Sequence, residues 1–355
     1  MDKKDSDYPS EILRISKKQL LARALHSIGA PSIARCIRRF CGHEVMVLAY
    51  HRVLDILDEG TFLFDPELVS ASVADFTWQM NHVRRHYTPI SFRFLLDHLD
   101  GKQALPSRPI LVTFDDGFDD NYHHAFPVLK SLDIPATIFI STGYIGQSRT
   151  FWFDWLCYLC NKAAISGKPV RLAGASFSLN GDRAQRQKEV ADIFVYVKRL
   201  PDDALRRALS DLEKVLGIRY PEDGFTQSRP LTWDQVREMN AHGIEFGSHT
   251  VTHPILANIG DAQLREELAL SRACIEQAIS CPVNVLAYPV GYDFAFNSNV
   301  MAATREAGYR VGVSYIPGVN DTREMDMFQL RRLHVERYVS RLEFECMLAL
   351  PRLFS

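Results

Sequence analysis

Two adjacent aspartates, Asp115 and Asp116, follow the apolar run 110–114 and precede Gly117. A continuous apolar run of this length reads as a strand buried on both faces. Carboxylates at its exit are costly unless a cation or hydrogen bonds compensate. Neighbours in an extended chain point to opposite sides, so the two can hold different tasks, and Gly117 lets the backbone turn tightly behind them. The same pair also suits a helix N-cap, with acid at the positive end. Further on, His249 and His253 stand four apart in HTVTHP; on a helix this spacing sets both imidazoles on one face, close enough to share an ion. Neutral imidazole is a frequent zinc ligand, and two His with one carboxylate leave positions open for water and substrate, as metal-assisted hydrolysis requires. Alone, the two histidines read equally as cap or surface residues. A third cluster, Tyr288-Pro289-Val290-Gly291, follows the apolar stretch 283–286. A Pro-X-Gly turn there can aim backbone N–H groups at an oxyanion, though by itself it is an ordinary turn.

All three clusters fall at the ends of predicted strands. The stretch 44–50 reads as a short buried strand ending at His51, followed by a helix over Phe76, Met80 and Val83 and a second around Leu95. After Asp116 come a helix ending near Leu132 and a strand over 134–140, a βαβ unit that calls for a parallel sheet. The rhythm resumes at Thr232, which with Gln235 forms a capping box; Gly243 ends that helix. A strand at 244–246, a helix at 262–278, a strand at 283–288, a helix at 298–307 and a strand at 310–315 continue the alternation. Repeated βα units predict a barrel or a doubly wound sheet, and both place chemistry at the carboxyl ends of strands. Residues 146–228 break the pattern with charged helical stretches at 183–200 and 202–216 and read as an insertion, a lid or a groove wall. Residues 1–43 read as a helical, basic arm ahead of a catalytic domain at 44–350.

At 355 residues the chain can bury a full core, and 46% apolar with 24% charged residues is ordinary for a globular protein. A net charge of −2 gives no global attraction to nucleic acid. Seven scattered cysteines make no disulfide framework and fit a reducing compartment. Cys157 and Cys160 form a lone CxxC inside FWFDWLCYLC, an apolar helix in which both are expected to pack. The first ten residues carry no signal-peptide pattern and no run reaches a membrane span, so a cytoplasmic protein is expected. The stretch 12–40 mixes Leu21, Ala24, Leu25 and Ile28 with Lys17, Lys18, Arg23, Arg35, Arg38 and Arg39. Such a helix docks on its own domain or lies peripherally on an anionic membrane surface.

TFDDG, SHTVTHP and AYPVG, in this order, resemble the motifs of the polysaccharide deacetylase family, the NodB-homology group of carbohydrate esterases. The resemblance extends over roughly 44–340, through LVTFDDGFDDNYHHAFPVLKSLDIPATIFI, LTWDQVREMNAHGIEFGSHTVTHP and EAGYRVGVS. It implies an α/β fold, an irregular (β/α) barrel of about seven parallel strands, and metal-dependent N-deacetylation of an N-acetylated sugar or polysaccharide. It implies a divalent metal, zinc first, with cobalt, nickel or iron as alternatives. Asp115 matches the family's catalytic base, and Asp116, His249 and His253 match its metal triad. Val290 stands where the family often has a Tyr whose backbone N–H helps hold the oxyanion, with Tyr288 and Pro289 before it. Two departures stand out. Ala287 replaces the Arg that orients the base, for which Arg331 or Arg332 is a substitute. The Asp-x-x-Asp-Trp motif is missing. The acid is His334, in LRRLHVER, or His51, in VLAYHRV; the latter resembles the first strand of exopolysaccharide deacetylases, in which the acid-side His comes early, and His51 is preferred. Two other readings are a hydrolase of a smaller amide and a non-catalytic glycan-binding homologue. The lost Arg favours the second of these, and the intact Asp115, Asp116, His249 and His253 oppose it.

Overall fold

The structure is a computed structural model that describes residues 17–38, 43–59 and 61–354. Seven strands close into an all-parallel barrel: β1 (Glu44–Tyr50), β2 (Pro109–Phe114), β3 (Thr137–Ile140), β4 (Glu245–Ser248), β5 (Val285–Ala287), β6 (Val311–Pro317) and β7 (Leu330–His334). Each pairs with the next, and β7 returns to β1 through Leu333 opposite Leu48 and His334 opposite Ala49.

The continuous apolar runs are explained by burial on both faces, as parallel strands covered by helices require. Alternation divides them. Met46, Leu48 and Tyr50 of β1, with Ile110, Val112 and Phe114 of β2, join the layer under the helices. Val45, Val47, Leu111, Phe139, Val285, Val311, Val313 and Leu330 fill the interior. The helix Phe92–Leu99 closes one end of that interior with Phe92, Leu95 and Leu96. Its N-terminal amides at Phe92 and Arg93 donate to the Glu245 carboxylate at 2.8 and 3.0 Å, a favourable place for a negative charge.

The predicted capping box at Thr232 and Gln235 is present, and Gly243 turns the chain at φ 89°. Strand ends differ from expectation by a few residues: β3 begins at Thr137 rather than 134, and β6 runs on to Pro317. Between β3 and β4 the chain forms the helices Trp152–Ile165, Arg183–Val197 and Asp202–Leu216 and a small antiparallel hairpin, Val170–Leu172 with Ala175–Phe177. These elements enclose a separate apolar core that includes Leu156, Leu159, Cys160, Ile193, Leu209 and Leu212. Cys160 is buried in that core and Cys157 beside the cavity, both as free thiols, and burial raises both, Cys160 to about 12.

Of the basic arm, the helices Lys17–Ser27 and Ala30–Arg38 are described, while Ile12 and the 39–42 stretch lie outside the described residues. Ala22 is fully buried, the Cys346 thiol donates to its carbonyl, and Lys18 Nζ donates to the Phe354 carbonyl at 2.8 Å. The arm therefore docks on the end of its own chain, with Leu20, Leu21, Ile28 and Ile33 facing outward. No helix among the described residues is long and apolar enough to cross a membrane.

Candidate active site

The exits of β2 and β4 deliver the carboxylates and imidazoles to one point. Asp116 Oδ1 lies 3.5 Å from His249 Nε2 and 3.3 Å from His253 Nε2, and all three residues are buried. One ligand atom from each falls within 4.8 Å of the others. His249 Nδ1 sits 2.8 Å from the Ala287 carbonyl, which can only accept, so Nδ1 carries the proton and the Nε2 lone pair faces Asp116. Burial, then the neighbouring His253, pushes His249 down to about 4, which keeps it neutral as a ligand must be. Buried Nδ1 of His253 has no hydrogen-bond partner among the described residues. Two imidazole nitrogens and a carboxylate oxygen, converging without a protein cation between them, fit a borderline divalent ion such as zinc.

The histidines do not meet on a helix. Residues 249–253 form an irregular loop in which Thr250 (φ 69°) and His253 (φ 58°) are left-handed. Glu267, on the helix Asp261–Ile279, pins this loop by accepting from the Val251 and Thr252 amides at 2.7 and 2.9 Å and from the Thr252 hydroxyl at 2.5 Å. The Ser141 hydroxyl donates to the His249 carbonyl at 2.9 Å. Asp116 (φ 72°) and Val290 (φ 64°) are left-handed too. Such conformations cost about 1–3 kcal/mol each and gather where the surroundings impose them. At Asp116 the result is clear: Asp115 keeps the interior-facing parity of β2, and the twist after it swings Asp116 toward the histidines.

Asp115 is gripped from across the barrel. Arg332 donates from Nη1 to Oδ1 and from Nη2 to Oδ2, both at 2.7 Å, and both side chains are buried. Burial alone would raise the Asp115 carboxyl, but the Arg332 guanidinium outweighs it and holds the group well below the usual carboxylate range. Of the two neighbouring arginines it is thus Arg332 that meets Asp115, whereas Arg331 is exposed and turns to the Pro317 carbonyl.

The two candidate acids differ sharply in surroundings. His51 Nε2 stands 4.0 Å from Asp115 Oδ2, and His51 lines the same cavity as the metal ligands. Its backbone is fixed by the Ser70 hydroxyl, which accepts from its N–H at 2.9 Å, and by Asn121, which donates to its carbonyl at 2.8 Å. His334 lies flat on Tyr315, ring centroids 3.6 Å apart, and does not line the cavity. Burial, then Arg332, pushes it down to about 3.

Of the turn after β5, Tyr288 is a core residue. Its N–H donates to Val313, its hydroxyl to Phe328, and neither it nor Pro289, which has no N–H, lines the cavity. Val290 does line it, and its N–H meets no acceptor among the described residues. Sequence reasoning missed Glu267, Asn121 and the aromatic wall of Trp152, Phe153, Tyr292 and Tyr315; none carries a local signal, because each acts through a distant segment.

Residues 102–312, over half of the chain, match the family model for polysaccharide deacetylase. The Bacillus subtilis protein YxkH is 25% identical over 226 residues, 64% of this chain and 51% of its own length. The poly-beta-1,6-N-acetyl-D-glucosamine N-deacetylase of Staphylococcus aureus is 31% identical over 122 residues, 32% of this chain and 41% of its own. The chain thus spans about half the length of these relatives or less. In fold it is similar to the Streptococcus pyogenes deacetylase PplD (TM-score 0.56, 18% identity, 88% of this chain and 98% of that one). It is likewise similar to IcaB from Ammonifex degensii (TM-score 0.53, 21% identity, 87% and 97%). Family model, barrel and motif order agree: this chain belongs to the polysaccharide deacetylase family.

Proposed function

We propose that the protein is a metal-dependent hydrolase that removes the acetyl group from an N-acetylated sugar. The observation that carries this reading is the pairing of an Arg-held carboxylate, Asp115, with the Asp116, His249 and His253 group at one end of a single cavity. A binding protein has no use for a second carboxylate, charge-paired and oriented, beside a ligand triad.

Asp116, His249 and His253 would hold the cation, zinc first, with cobalt, nickel or iron also suited to the donors. When bound, it supplies a Lewis acid that acidifies water and polarises an amide carbonyl. Asp115 accepts the proton of the attacking water, and Arg332 fixes which oxygens face it. The Val290 N–H donates to the carbonyl oxygen as that oxygen gains negative charge; one such donor contributes roughly 3 kcal/mol. His51, on the open side of Asp115, donates a proton to the departing amine, and acetate leaves. His334, stacked and kept neutral, has no proton to give near pH 7.

The lost third-motif Arg favoured a glycan-binding reading; Arg332 at Asp115 supplies what that motif lacks. The test is acetate release by metal-reconstituted protein from N-acetylglucosamine and its oligomers, beside short acetamides and formamides. Acetate from the sugars is the expected result. Turnover of the short amides alone, or of nothing, overturns the reading.

A further inference from the structure

The cavity that starts at the metal ligands does not end with them. It encloses about 880 Å³, near the top of the roughly 300–1,000 Å³ range of small-molecule sites. One wall is the helix Trp152–Ile165. Its start touches the metal centre: Phe153 packs on His253 with ring centroids 5.0 Å apart, and Trp152 Nε1 donates to the His253 carbonyl at 3.1 Å. From there Phe153, Cys157, Asn161, Ala164 and Ile165 line the cavity. Their spacing places them on one helical face, and the twelve residues from Phe153 to Ile165, at about 1.5 Å each, carry this wall about 18 Å along the helix.

The opposing walls are mainly apolar but also carry charged residues. Val190, Phe194 and Val195 line it from the helix Arg183–Val197, together with Arg186, Gln187 and, just past the helix, Lys198; Phe62 and Phe64 line it from the 59–68 loop, beside Asp65 and Glu67. The polar amide of Asn161 is already committed, donating to the Leu63 and Cys157 carbonyls at 3.0 and 3.1 Å. Of the acidic lining residues, Glu59 pairs with Arg337 at 2.9 Å and Glu336 follows β7, whereas Asp65 lies within the arm, accepting from the Glu67 amide at 3.0 Å with Lys198 as its neighbouring cation. The apolar arm opens to solvent at its far end, where Ile165 is 73% and Val195 53% exposed.

A sugar polymer needs free hydrogen-bond partners along its whole length, and polar groups of this arm are engaged within the chain: Asn161 with the Leu63 carbonyl, Arg186 with the Gly181 carbonyl at 2.6 Å and Asp65 with the Glu67 amide at 3.0 Å. An alkyl or prenyl chain needs apolar walls and an open end, and the arm supplies both. We infer that the substrate is a glycolipid: an N-acetylated sugar at the metal centre whose hydrophobic chain lies along the arm between the helices Trp152–Ile165 and Arg183–Val197. This rests on the deacetylase reading above and narrows it.

The test uses metal-loaded full chain and β-N-acetylglucosaminides with methyl, butyl and octyl aglycones, below the aggregation threshold of the octyl compound, alongside N-acetylglucosamine tetramer. Each buried methylene is worth about fourfold in affinity, so kcat/KM should rise stepwise and by at least about a hundredfold from methyl to octyl. Val190→Asp and Ile165→Asp should reduce that advantage to within about fivefold while metal content stays at one per chain. Ile165 is exposed, so its variant cannot fail by unfolding the core. Leu270→Asp, an exposed site off the cavity, should keep the full advantage. Equal rates for the three aglycones, or preference for the tetramer, overturn the glycolipid inference and leave the deacetylase reading standing. No acetate from any of the four compounds overturns the deacetylase reading itself, and the inference with it.

Discussion

The barrel mouth and the helical segment between β3 and β4 share one cavity but contribute opposite things to it. The barrel supplies buried charge: Asp115, Asp116, His249, His253 and Arg332, held by hydrogen bonds and by left-handed backbone at Asp116, Thr250, His253 and Val290. The helical segment supplies apolar surface and carries its own core. Such a division lets reaction chemistry stay fixed while the substrate's non-reacting part is chosen independently. The two parts are joined by a buried ion network. Arg52 donates to Asp120 at 2.8 Å and to the Gln227 carbonyl at 2.7 Å, with Asp154 of the helix Trp152–Ile165 3.8 Å from Nη1.

Five substitutions probe this division, the largest effect first. His51→Gln should lower turnover by roughly 10²–10⁴, the range for a lost general acid, whereas His334→Gln should cost less than about tenfold; steady-state acetate release measures both, and the reverse ranking would reassign the acid. Arg332→Met strands a buried carboxylate. It should destabilise the fold by about 3–5 kcal/mol in denaturant titrations, and a loss below about 1 kcal/mol would show that Asp115 does not depend on this partner. At the joint, burial raises Asp154 to about 7, with Arg52 opposing. A carboxyl with a higher pKa folded than unfolded stabilises most below its unfolded value, 3.8, and loses that contribution as pH rises through about 7. Asp154→Asn should therefore flatten the fall in stability across that window; an unchanged slope would place the linkage elsewhere. Val290→Gly should be the mildest. It relieves a β-branched residue at φ 64°, and after the entropic penalty of glycine a gain of about 1 kcal/mol in unfolding free energy is expected. A loss would mean that the Val side chain matters more than its backbone strain.

Much of the barrel was legible because its strands are unbroken apolar runs between helical patterns, and a closed parallel sheet leaves no other place for them. The motif residues were legible because the acids and imidazoles sit within a few residues of strand ends. The local form of HTVTHP was not. Spacing of four brings two rings together on a helix, and here the strained loop pinned by Glu267 does so as well, with centroids 4.8 Å apart. Arg332 was open between two neighbours, and parity decides it: Leu330 faces the barrel interior, so Arg332 does too and Arg331 does not. Tyr288 looked like a pocket residue because it borders a turn, but strand alternation sends it into the core. Residues 146–228 were legible as an insertion, a lid or a groove wall, but the apolar arm itself was not, since its walls come from three segments that meet only in the folded chain.

Metal binding by defined variants tests the central claim most directly. Cobalt(II) titration, read by its d–d absorption and by metal content after desalting, should give one ion per chain for the unaltered protein and for Asp115→Asn. His249→Ala and Asp116→Ala should give none while remaining folded by circular dichroism, and Asp115→Asn should be metal-loaded yet at least about a hundredfold slower. Cobalt bound equally well without His249 and Asp116, or full turnover without Asp115, would contradict the assignment of the two carboxylates and two imidazoles to one hydrolytic centre.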